Sequence, residues 1–169
     1  MALTRVHNFA ISLDGYGTGE GQSADAHFGH AGDRLHQWMF ATRWWDPAGS
    51  GGVDDAFVQR HDPGIGAEII EMEGGTTFHF LDATPDEALA AAREAADGKD
   101  VRIGGGPTVV NEFLAAGLID HLHVVVVPIL LGRGVRLWDG LEGLEKDYRV
   151  EATSSSSNVT HVTFTRAAS

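Results

Sequence analysis

The chain contains no cysteine. That excludes a disulfide framework, thiol catalysis and thiolate metal ligation, and it fits a reducing cytosol. Basic residues are scarce as well: 12 Lys and Arg stand against 24 Asp and Glu, for a formal charge of −12. No run of Lys or Arg forms a stripe, so the surface repels polyanions and nucleic acid is not an expected partner. An anionic ligand would have to be held locally. No apolar run approaches the roughly 20 residues of a membrane span. The opening MALTRVHNFAISLDG lacks a basic n-region, a long apolar core and a small-residue cleavage site. These absences predict a soluble, cytoplasmic protein without membrane contact.

What is present is enough for one domain. Hydrophobic residues make up 43% of 169 positions, sufficient for a single sizeable core, and the whole chain, 1–169, reads as one unit. Residues Val6 to Leu13 are apolar and stop at Asp14-Gly15 and a glycine-rich stretch, the pattern of a buried strand running into a loop. Helical spacing of Leu35, Trp38 and Met39 after Asp33 predicts a helix from Asp33 to Trp45, and a short one follows from Asp54 to Arg60. Residues 65–70 and 76–81 read as strands. Thr84-Pro85-Asp86-Glu87 is a capping box with proline at the first helical position, so a helix from Pro85 to Asp97 is predicted, closed by Gly98. A strand at Val101 to Ile103, a helix from Pro107 to Ala116 and a strand from His121 to Val127 complete an alternating order that implies a parallel sheet with right-handed crossovers. Val124 to Val127 is apolar on both faces, as a central strand covered by helices requires. Tyr148 to Thr153 and Asn158 to Thr165 suit a closing antiparallel hairpin.

Chemistry concentrates at few places. Gly104-Gly105-Gly106 follows a strand and opens a helix, where free N–H groups and the positive helix end favour an anion. The spacing is not G-x-G-x-x-G, so a plain tight turn is an equal reading; its position at the carboxyl end of a parallel strand points to a ligand. Asp14 is either an acid within reach of a substrate or an Asx-type turn residue before Gly15. Trp38, Trp45 and Phe113 are candidates for a flat substrate pocket, with core packing as the alternative. His27, His30 and His36 have no supporting carboxylate pattern, and no metal site is expected. Arg133 and Arg136 flank a glycine-bearing turn and contact either a phosphate, a partner subunit or solvent.

Several of these segments together resemble a known family. Ser12-Leu13-Asp14-Gly15-Tyr16, Ile103-Gly104-Gly105-Gly106, Gly117-Leu118-Ile119-Asp120 and Pro128-Ile129-Leu130-Leu131-Gly132-Arg133-Gly134 occur in the order found in dihydrofolate-reductase-like proteins of the riboflavin-pathway reductase type. Arg34 to Trp38 and Glu71 to Phe80 also look like segments of that family. The resemblance implies a three-layer α/β fold, with a mostly parallel central sheet and a C-terminal antiparallel hairpin. It implies NADPH as hydride donor and a homodimer as the common assembly. By position it assigns the Gly104, Gly105, Gly106 turn with Pro107 and Thr108 to the cofactor diphosphate, and Ala10, Asp14 and Gly15 to the nicotinamide side. One departure stands out. Ile70 runs directly into Glu71, where similar proteins carry a further helix and strand and an arginine near the 2′-phosphate.

The expected function is an NADPH-dependent reductase of a small heterocyclic or carbonyl substrate, with Asp14 orienting or protonating the acceptor. The alternative, motivated by the Ile70–Glu71 junction, is a family member without cofactor that binds a small molecule or catalyses a non-redox step in the same pocket.

Overall fold

The computed structural model describes residues 2–49, 51–60 and 81–167. The strand expected at residues 65–70, the Ile70–Glu71 junction and all but the last residue of the strand expected at 76–81 lie outside the described residues; Leu81 itself is not in a strand.

The chain begins with β1 (Thr4–Ser12) and the short β2 (Tyr16–Thr18). A 3-10 segment at Gly29–Leu35, α1 (Gln37–Phe40) and α2 (Val53–Arg60) follow. The second half runs α3 (Pro85–Ala95), β3 (Val101–Arg102), α4 (Pro107–Ala115), β4 (His121–Val127) and β5 (Val135–Arg136). It closes with β6 (Tyr148–Ser154) and β7 (Thr160–Arg166).

The main sheet has the order β3-β1-β4-β7-β6. Its centre, β3-β1-β4, is parallel, and β7 and β6 extend it in antiparallel fashion. This is the expected mixed α/β arrangement with a closing hairpin. β4 alternates between two cores: Leu122 and Val124 face a layer with Val6, Leu89, Val110 and Leu114 from the α3 and α4 side, while Val125 and Val127 face Leu35, Trp38 and Val58. The four consecutive valines are buried or nearly so because helices cover both sides of the strand.

β1 does not alternate evenly. Val6 pairs with Leu122 and Phe9 with Val124, so three steps on β1 oppose two on β4. The extra residue makes a β-bulge, and Asn8 takes it up with φ 53, a left-handed conformation that asparagine tolerates better than most residues. Bulges of this kind commonly re-aim side chains beside functional sites.

The helix expected from Asp33 to Trp45 is shorter and broken. Gly32, at φ 51 and ψ −142, interrupts the 3-10 segment, α1 spans only one turn, and the chain then continues through turns. The capping box of α3 is present as expected: Thr84 Oγ1 accepts from the Glu87 N–H, and the Glu87 carboxylate accepts from the Thr84 N–H at 2.9 Å. The helix ends two residues before Asp97, because Asp97 and Gly98 both adopt positive φ.

Candidate functional site

A cleft of about 210 Å³ opens where the parallel strands end and α4 begins. Its walls come from four places in the sequence: His7, Asn8, Phe9 and Ala10 of the bulged β1; Gly17 and Thr18 of β2; Phe28 and His36; and Arg102 through Pro107. Ligand sites of roughly 300–1,000 Å³ hold drug-sized molecules, so a cleft of this size has room for only one portion of a larger ligand such as a dinucleotide.

The triple-glycine turn forms one end of the cleft. Side-chain carbons built at Gly104 and Gly106 would meet nothing within 4 Å, so the backbone lies open to a ligand. Gly105 has φ +111, a conformation that favours glycine. Gly106 is the N-cap of α4 and offers no side chain, Pro107 occupies the first turn, and no acidic residue lies there. The contrast with α3 is informative. That helix has its own cap from Thr84 and Glu87 and carries Asp86 and Glu87 in its first turn, whereas the amides at the start of α4 have no side-chain acceptor and retain the positive end of the helix dipole. Exposed Arg102 adds the one Lys or Arg cation among the described lining residues of a protein whose net charge is −12.

Three polar atoms in the cleft walls are buried without a hydrogen-bond partner among the described residues: Asn8 Oδ1, Thr18 Oγ1 and His36 Nδ1. Buried polar groups are nearly always paired, so these atoms are open to a polar ligand or to water. His36 is pushed below the ordinary imidazole range by burial, against the opposing pull of Asp33. A neutral ring there both donates and accepts. A dinucleotide fits this set: an uncapped helix end for its diphosphate and unpaired polar groups beside β1 for its ring substituents.

The expected site residues divide. Ala10, Gly104, Gly105, Gly106 and Pro107 share the cleft, and Thr108 is the second residue of α4 behind them. Asp14 and Gly15 sit beyond the end of β1, outside the lining. The Asp14 carboxylate accepts from the Leu131 N–H at 3.1 Å, the Gly132 N–H at 2.7 Å and the Ser12 hydroxyl at 2.6 Å. Partial desolvation raises its pKa, but these hydrogen bonds outweigh that and bring it down to about 2. It is therefore an ionised acceptor that ties the end of β1 to the 129–132 loop through long-range bonds, which differ from the local bond of an Asx turn.

The three aromatic candidates do not line the cleft. Phe113 packs in the core under α4, because it lies on the helix face shared with Val110 and Leu114. Trp38 is 4% exposed in the opposite core, where its ring edge meets His161. Trp45 is 55% exposed on the turns after α1, packed against Phe40 and Trp44. Arg136 lies over the Tyr16 ring at 4.8 Å, and Arg133 pairs with Glu20 at the surface. Among the described residues no group of three or more His, Asp or Glu is placed to hold a metal ion. No described helix is long and apolar enough to cross a membrane.

Sequence reasoning did not find Asn8, Thr18 or Arg102, and it weighed His36 only as a metal ligand. The bulge that turns Asn8 toward the cleft leaves no mark in the hydrophobic pattern. The available hint was an asparagine in a strand interior, where its type is disfavoured.

Comparisons with known proteins bear on the fold and the family. The chain is 42% identical over 53 residues to the riboflavin biosynthesis protein RibD of Mycobacterium tuberculosis, covering 31% of this chain and 16% of that protein. It spans less than half the length of the curated relatives it matches. A crystal structure of a Shewanella sp. PV-4 protein named for riboflavin biosynthesis superposes with a TM-score of 0.57 at 18% identity, covering 98% of this chain and 99% of the other. The diaminohydroxyphosphoribosylaminopyrimidine deaminase/5-amino-6-(5-phosphoribosylamino)uracil reductase of Thermotoga maritima gives 0.52 at 16% identity, over 98% of this chain and 57% of that one. These likenesses establish the fold, and the sequence pattern of the RibD C-terminal domain matches residues 59–164, more than half of the chain. The chain belongs to the RibD C-terminal domain family.

Proposed function

We propose that the cleft binds NADPH and that the protein reduces a small heterocyclic substrate of the ribosylated pyrimidine kind. The observation that carries this reading is the uncapped, acid-free start of α4, joined by a triple-glycine turn to the same cleft as the β1 bulge. In this reading the amides of the Gly104–Gly106 turn and of Thr108 hold the diphosphate, and Pro107 keeps the helix start rigid without needing a donor. Arg102 adds charge at the rim. Ala10 presents its backbone on the nicotinamide side, where a larger side chain would narrow the cleft. When bound, NADPH supplies the hydride. Asn8, Thr18 and His36 orient polar ring substituents, since each has an atom awaiting a partner among the described residues.

Asp14 acts in this proposal through position. With a carboxyl near pKa 2 it carries no proton to give near neutral pH. It anchors the 129–132 loop against the end of β1, and Gly15 continues that turn toward the nicotinamide. The substrate class is taken from the family and from the name of the Thermotoga relative, which identifies a 5-amino-6-(5-phosphoribosylamino)uracil reductase.

Titration with NADPH, followed by quenching of tryptophan emission and by calorimetry, tests the reading. Saturable binding that is weakened roughly thirtyfold by Gly106→Asp supports it. No binding to the full-length protein overturns it, in favour of a cofactor-free small-molecule binder using the same polar cleft.

A further inference from the structure

Behind the cleft floor runs a chain of hydrogen bonds that the proposed reduction does not use. The bulge amide of Asn8 donates to His123 Nδ1 at 3.3 Å. His123 Nε2 lies 2.9 Å from His161 Nδ1, and His161 Nε2 lies 2.7 Å from Asp54 Oδ1. Both imidazoles are completely buried, and Phe57 stacks on both, at 4.1 Å from the His161 ring and 4.8 Å from the His123 ring.

The two ends fix the direction of every bond between them. A backbone amide only donates, so His123 Nδ1 must be the acceptor and its proton sits on Nε2. That proton is donated to His161 Nδ1, so the His161 proton also sits on Nε2 and is donated to the Asp54 carboxylate, which only accepts. One arrangement satisfies all three bonds, with both rings neutral and both in the Nε2–H tautomer. A change of tautomer at His161 would set two N–H groups against each other at His123, or force His123 to turn its own N–H on the Asn8 amide.

We propose that Asp54, His161 and His123 form a positioning relay that holds the Asn8 bulge and so sets the shape of the cleft wall without lining the cleft themselves. None of the three lines the cleft, whereas Asn8 does, with Oδ1 unpaired among the described residues. The bulge places Asn8 in the left-handed region and takes its amide out of the regular β1–β4 register. A buried amide left without an acceptor is unfavourable, so the bulge keeps this shape only while His123 accepts from it. The inference rests on the reading of the cleft as the NADPH site for its functional consequence, and on the hydrogen-bond chain alone for the relay itself.

The test uses the full-length protein labelled with nitrogen-15. Long-range imidazole correlation spectra near neutral pH should show His123 and His161 both as Nε2–H tautomers, and the Asn8 amide should be protected from exchange. Asp54→Ala removes the terminal acceptor: mixed tautomers should appear at both rings, Asn8 exchange should quicken by roughly tenfold, and the Kd for NADPH should rise by a similar factor. Asp54→Asn keeps an oxygen that accepts from His161 and should restore tautomers, protection and affinity. Asp55→Ala removes a carboxylate from the same first turn of α2 without touching the chain, since Asp55 accepts from the Arg43 N–H; it should lower stability and leave the tautomers unchanged. The relay is overturned if either ring is Nδ1–H in the unsubstituted protein, or if Asp54→Ala leaves Asn8 exchange unaltered. Altered exchange with unaltered NADPH affinity would overturn the positioning role. If the unsubstituted protein binds no NADPH, the cofactor reading falls, and the relay is decided by the tautomers and Asn8 exchange.

Discussion

Replacing Gly106 with aspartate should move stability and binding in opposite directions. Gly106 is the N-cap of α4, at φ −80 and ψ 175, a backbone conformation that aspartate adopts readily. A side-chain carbon placed there meets nothing within 4 Å. The new carboxylate would accept from the Thr108 or Val109 amide and face the positive helix end, adding a few tenths to about 1 kcal/mol over glycine. For a domain of this size that raises the Tm by about 1–3 °C. The same carboxylate takes the amides that the diphosphate needs and puts like charge about 4 Å from it, which amounts to about 4 kcal/mol at an effective dielectric near 20. Salt and the open cleft screen that repulsion, so about 2 kcal/mol, or a roughly thirtyfold rise in the Kd for NADPH, is expected. Gly106→Asn separates the two contributions, because it caps the helix without charge and should weaken binding less. Thermal unfolding by circular dichroism and calorimetric titration measure both sides. A Gly106→Asp protein that binds NADPH as tightly as the unsubstituted one would refute the assignment of the α4 start to an anion, and a lowered Tm would refute the account of an uncapped helix.

Acid titration should reveal Asp14 and His161 separately. The Asp14 pKa is lowered from 3.8 to about 2, so its contribution is present above the unfolded value and is lost as pH falls from near 4 toward 2; Asp14→Asn should lower the Tm at pH 7 and flatten that part of the profile. Burial holds His161 below the usual imidazole range against the opposing effect of Asp54. As pH drops below about 6.5 the unfolded chain gains a proton that the folded protein refuses, and stability should decline by up to about 1.4 kcal/mol per pH unit from this residue; urea unfolding from pH 7.5 to 5 checks the sign, and a rise in stability over that range would contradict it. Gly134, at φ +131, has no room for a side chain, since an added carbon would overlap the Thr18 carbonyl oxygen. Gly134→Ala should destabilise by about 2 kcal/mol or more in urea unfolding and weaken NADPH binding by displacing Thr18 from the cleft wall.

How far the sequence reached depended on the range of the interaction involved. The α3 start was legible because a capping box is a contact among Thr84, Glu87 and their own backbone, three residues apart. The β4 valines announced a strand covered on both sides, since burial on two faces removes the polar alternation. The glycine turn before α4 was equally visible, and with the ordered segments around it pointed to the family. The length of α1 was not: the helix stops at Phe40 and the chain continues from Ala41 in turns, although the residue types there suit a helix. Phe113 and Trp38 looked like pocket residues by type, and only packing showed that they face the two cores instead. The sequence alone determined the parallel layers, the closing hairpin and the triple-glycine turn before α4, each encoded in local pattern. The tertiary structure alone decided that Asn8 bulges, that Thr18 and His36 face the same cleft, and that Asp54, His161 and His123 join across 107 and 38 positions of chain. Such contacts depend on register between strands and on which helix covers which face, and no short stretch of sequence carries either.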